Sequence, residues 1–93
     1  MALFVFLRDY LVDIEIQVRN EYNIVDRSLY YWSGLYYNAL KRGENYYENK
    51  RVIVVMILDY IQFREGPYHE IAQIRKKYKN KLLTENFELH FIQ

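Results

Sequence analysis

Residues 52–58 read VIVVMIL, seven consecutive apolar positions, most of them β-branched. This run constrains the fold more than any other stretch of the chain. It carries the pattern of a central strand covered on both faces. It is also too short to cross a bilayer, which takes roughly 20 apolar residues. A sheet is therefore required, and the rest of the chain has to supply its neighbours.

Residues 3–8 (LFVFLR) are apolar, β-branched and aromatic, the composition of a strand. Arg8, Asp9 and Tyr10 are the expected turn, and residues 11–19 the second strand of an antiparallel hairpin. That second strand alternates strictly. Ile14, Ile16 and Val18 point one way, and Asp13, Glu15, Gln17 and Arg19 point the other.

A long helix follows. Asn20 or Asn23 can cap it, and Asp26 puts negative charge near its positive end. Ile24, Ser28, Tyr31, Leu35 and Ala39 recur at helical spacing, with Val25, Leu29, Trp32, Tyr36 and Leu40 beside them. So broad an apolar surface predicts cover on both sides. Gly34 in the middle predicts a close approach by another backbone. Lys41, Arg42 and Gly43 suit the helix end. Residues 43–50 (GENYYENK) form a polar loop, and residues 64–67 (REGP) a turn. Residues 68–75 fit either a strand or a weak helix. Residues 76–84 are a basic loop, and Phe87, Leu89 and Phe91 alternate along a last strand. The expected class is α/β, a mixed β-sheet with one long helix.

The 93 residues suit a single domain, 1–93. A net charge of +1 predicts no strong global attraction to nucleic acid or acidic lipid. The absence of cysteine excludes disulfides, thiolate catalysis and Cys-based zinc sites, and it is compatible with a cytoplasmic location. The apolar run over residues 2–7 lacks a preceding basic segment and reads as a strand, not a signal peptide. The chain begins inside a structural element, which points to sequence missing upstream.

Which residues can carry chemistry? The stripe of Asp13, Glu15 and Gln17 is one candidate. A polar stripe on a strand is usually its wet face, but Glu15 flanked by an amide could also hold a hard divalent cation and orient a water. Two ligands on one strand rarely suffice, and residues 3–8 offer no second carboxylate. Arg75, Lys76, Lys77, Lys79 and Lys81 place five charges in seven positions, either a solvated loop or a track for a nucleic-acid backbone. Tyr30, Tyr31, Trp32, Tyr36 and Tyr37 could stack on bases, though helical spacing favours the core or an interface. Tyr46 and Tyr47 are better candidates for exposure. His69 and His90 have no His or Cys partner at metal-binding spacing and read as ordinary hydrogen-bonded or surface histidines.

Several separated blocks then resemble one family. "VDIEIQV", "DRSLYYWSGLYYNALKRGENYYENKRVIVVMILDYIQF", "YHEI" and "LLTENFELHFIQ" are similar to the Rpn-type recombination-promoting nucleases, also called PD-(D/E)XK nuclease family transposases. The similarity runs from about Val12 to Gln93. It implies a restriction-endonuclease-like core, DNA as substrate and magnesium-dependent cleavage. Glu15 matches the motif carboxylate, a metal ligand. Gln17 matches the position that is Lys in the wider superfamily, and the Ile16 backbone carbonyl is a further implied ligand. Arg27 and Tyr31 match recurrent positions of the following helix. Arg27 could meet a phosphate, or anchor Glu15 or the sheet.

The chain also departs from the family. The family's other acid lies on the preceding strand, where this chain has Phe4, or Met1 in an ungapped alignment. Asp9 and Asp13 are awkward substitutes, one in the turn and one on the Glu15 strand. The resemblance thus implies a truncated member whose N-terminal part of the fold is missing, with a weak or dead site. A non-catalytic DNA-binding remnant is the alternative. So is a homodimer through the apolar N-terminal strand or the helix face.

Overall fold

A computed structural model of the chain describes residues 2–6, 10–41 and 51–93. Five strands and one helix follow in the order β1 (Ala2–Phe6), β2 (Tyr10–Gln17), α1 (Ile24–Lys41), β3 (Arg51–Leu58), β4 (His69–Ala72) and β5 (Phe87–Ile92). They form one sheet in the order β1-β2-β3-β5-β4. The central three strands are parallel, and β1 and β4 flank them antiparallel. The expected α/β class and mixed sheet with one helix are what the chain adopts. No helix among the described residues is long and apolar enough to cross a membrane.

Parallel neighbours need a crossover, and α1 supplies it between β2 and β3. The helix starts after Asn23, whose carbonyl accepts the Arg27 N–H at 3.0 Å. Asn20 acts elsewhere. Its side chain accepts the Tyr22 N–H at 2.9 Å, and Tyr22 takes a left-handed turn at φ 61°. Ile24 and Ser28 are buried on the helix side facing the sheet. Trp32 donates to the Val52 carbonyl at 2.9 Å and packs 4.8 Å from the Phe87 ring. Val54, Met56, Leu58, Leu89 and Phe91 complete the core beneath.

Three expectations change here. The first concerns β3. It is central, but only Val52, Val54, Met56 and Leu58 are fully buried. Ile53, Val55 and Ile57 on the opposite face are half-buried, and no helix among the described residues lies over them. The apolar run reported lateral neighbours as much as a second layer. The second concerns α1, which covers the sheet with one side only and leaves Val25 and Leu29 exposed. The third concerns Gly34, where an added Cβ would meet nothing within 4 Å among the described residues, so no described backbone outside its own helix approaches it.

The ambiguous residues 68–75 form the short strand β4, then a single bridge between Arg75 and Leu82. Arg8, Asp9, Gly43, Tyr46 and Tyr47 lie outside the described residues, so the turn, the helix stop and the tyrosine loop are not described.

Candidate functional site

The face of β2 that carries charge is the face turned inward. Asp13 is 1% exposed and Glu15 6%, whereas Ile16 is 41% and Val18 72% exposed. The wet-face reading of the stripe is therefore corrected. The cause is the crossover. α1 lies on the side of β2 that carries Leu11, Asp13 and Glu15, because Val52, Val54 and Met56 beside them form the core face. Burying carboxyls there is costly unless something compensates, and such residues cluster at functional sites.

Asp13 and Glu15 line an open groove of about 420 Å³ between β1 and α1. Phe4 lines it from β1, and Tyr30, Tyr31, Gly34 and Tyr37 from the helix. Burial, with the Glu15 charge next to it and a hydrogen bond to Glu15, pushes the Asp13 carboxyl up to about 7. Asp13 Oδ1 is buried and has no hydrogen-bond partner among the described residues.

Gln17 stands at the end of the same row. Its Oε1 accepts from Arg27 Nη1 at 2.7 Å, while Arg27 Nη2 donates to the Tyr31 hydroxyl at 2.9 Å. Glu21 lies 3.9 Å from the same guanidinium. The Tyr31 hydroxyl holds Arg27 charged and raises its pKa further. Arg27 ties Gln17 of β2 to the helix. The carbonyl end of Gln17 is thereby engaged, which leaves its amide N–H donors as the end able to meet a substrate oxygen.

Glu15, Gln17, Arg27 and Tyr31 thus come together. Ile16 lies between the two side chains, and the β1 ladder ends beside it at Ala2↔Glu15 among the described residues. The basic residues do not join them. Arg75, Lys76, Lys77, Lys79 and Lys81 sit in the connection between β4 and β5, on the far edge of the sheet. Three strand spacings separate that edge from β2, about 14 Å. The loop is also closed on itself, with the Lys76 N–H donating to the Lys81 carbonyl at 2.8 Å.

The aromatic row of α1 divides. Trp32 and Tyr36 stack on each other at 4.8 Å over the core side, and Tyr30 and Tyr37 are exposed at the groove. His69 and His90 find each other, with Nε2 of one 2.7 Å from Nδ1 of the other and Glu88 bonded to His90. Sequence spacing could not show this pair, because it depends on how β4 registers against β5.

Do these residues fit a divalent cation? Two carboxyl residues, Asp13 and Glu15, line the groove, and Asp13 Oδ1 has no hydrogen-bond partner among the described residues. Hard cations such as magnesium take oxygen ligands and keep several waters, so few protein ligands are needed. No cluster of three or more His, Cys, Asp or Glu side chains suited to a metal occurs among the described residues. The donor set therefore fits a sparse, water-rich magnesium site and does not fit a closed structural one.

A family model described as PD-(D/E)XK nuclease family transposase matches residues 7–93. No curated protein and no solved structure matches the chain. The matched span includes β2, α1, β3, β4 and β5, and with them Glu15, Gln17, Arg27 and Tyr31. With a mixed sheet crossed by one helix and buried carboxyls at the crossover, the chain belongs to the PD-(D/E)XK nuclease family transposases.

Proposed function

We infer that the chain derives from a magnesium-dependent DNA endonuclease and hydrolyses phosphodiester bonds slowly at the groove lined by Glu15. One observation carries this reading: Glu15 is buried where a core would place an apolar residue, yet it lines a groove open to solvent. Glu15, with the Ile16 carbonyl, would hold the cation. A bound magnesium ion would acidify a coordinated water and draw charge from the phosphate oxygens. Gln17, its carbonyl tied by Arg27, presents N–H donors toward a phosphate oxygen or the attacking water. That donor polarity is what a Lys at this position would provide. Tyr31 and Arg27 keep the amide in place. The rate is low because β1 carries Ala2, Phe4 and Phe6 toward the groove side and no acid.

Supercoiled plasmid incubated with the chain and magnesium should be nicked, and Glu15→Ala and a chelator should each abolish the nicking. Equal nicking by the wild type and Glu15→Ala would remove Glu15 from the reaction.

The missing acid on β1 favours a second reading, a non-catalytic remnant that binds DNA through residues 75–81 or dimerises through exposed β1. DNA binding of this kind weakens steeply between low and high salt. Binding indifferent to salt would exclude the basic loop as its carrier.

A further inference from the structure

We propose that Asp13 is the second carboxylate of the cation site, taking the place of the acid that β1 lacks. This rests on the reading of Glu15 as a metal ligand.

Register is the first argument. Phe4 stands directly opposite Asp13, and Ala2 opposite Glu15, all on the helix side of the sheet. An acid at position 4 would lie diagonal to Glu15, about 7–8 Å away between backbones. Asp13 lies two residues along the same strand, roughly 6–7 Å away. Both positions line the same groove. Moving the acid from one to the other shifts it by a single strand spacing without changing its face.

The second argument is the unpartnered oxygen. A buried acid kept only to support the fold should have both oxygens bonded, because an orphaned one is destabilising. Asp13 is 1% exposed, and its Oδ1 has no partner among the described residues. Arg27 does not serve it, since its guanidinium bonds Gln17 and Tyr31. Leu11 and Val54 beside it show that the layer accepts apolar side chains. A hydrophobic residue at position 13 would pack there without leaving a buried oxygen unbonded. What distinguishes Asp13 from such a residue is a carboxyl group on a side chain that lines the groove together with Glu15, with one oxygen left over to bind.

The test is calorimetric titration of Mg²⁺ and of Mn²⁺ into the wild type, Asp13→Asn and Glu15→Gln, with circular dichroism of each to verify folding. Asp13→Asn and Glu15→Gln should each weaken binding at least tenfold. In the wild type, carboxyl ¹³C resonances of both Asp13 and Glu15 should shift on adding Mg²⁺, a measurement that needs no variant. If Asp13→Asn binds within twofold of wild type while Glu15→Gln does not, or if only the Glu15 resonance moves, Asp13 is not a ligand and the Glu15 reading stands. A wild-type chain that binds neither ion overturns both.

Discussion

At the scale of single residues, Asp13 carries the sharpest conflict between charge and burial. Its carboxyl sits at about 7 in the folded chain against 3.8 for a free aspartate, chiefly because burial disfavours the charged form. The folded state therefore holds a proton that the unfolded chain has already released between these two values. Stability from this group is complete below the lower value and is lost as pH rises toward the upper one. The loss is at most about 4 kcal/mol, from roughly 1.4 kcal/mol per unit. Urea unfolding of the metal-free chain should show a higher midpoint at pH 4 than at pH 8 from this group, and Asp13→Asn should flatten the difference. A wild-type profile as flat as that of Asp13→Asn would mean that Asp13 is not desolvated. Position 13 was legible as a member of the Glu15 face. Its burial was not, because an alternating strand does not say which of its faces meets the helix.

At the scale of elements, α1 determines the shape of the groove, and Gly34 is its least ordinary feature. Glycine in a helix interior is less favourable than alanine by roughly 0.8–1 kcal/mol. Here an added Cβ meets open space on the groove side. Gly34→Ala should therefore stabilise the chain by about 0.5–1 kcal/mol and raise Tm by several degrees in a domain this size. A lowered Tm would contradict the open wall. The helix itself was readable from its two apolar rows, and the row of Ile24 and Ser28 does face the sheet. The second row divides: Val25 and Leu29 are exposed, whereas Trp32 packs on Phe87, because a single helix over a single sheet buries one side. The strand β4 was half legible. Its four residues alternate too briefly to outvote a helical reading until β5 supplies a partner.

At the scale of the whole molecule, Gln93 closes the far end of the sheet. Its Oε1 accepts the N–H groups of Gln62 and Phe63, both at 2.9 Å, and its Nε2 donates to the carbonyls of Phe63 and Pro67. One side chain thus satisfies the backbone of the connection between β3 and β4. Gln93→Ala leaves the part-buried groups of Gln62 and Phe63 without their partner and should cost about 1–3 kcal/mol. Denaturant melts will measure it, and an unchanged midpoint would mean that water replaces the amide fully. Nothing in the sequence marks Gln93. It matters because β5 runs parallel beside β3, so the two strands leave the sheet at the same end.

Most of the elements, and the lineage, are legible in the amino-acid order alone. Local periodicity specifies strands and a helix, since it depends on residues a few positions apart. The blocks around Glu15 and Gln17 pointed to a nuclease family, and the chain belongs to that family. The burial of one face of β2, the groove shared by Asp13 and Glu15, the bond from Arg27 to Gln17 and the place of the basic loop at the other edge emerge only from the folded arrangement. Each of those depends on where the crossover helix settles and on the order of strands across the sheet. They are contacts between residues distant in sequence, which alternation and composition do not encode.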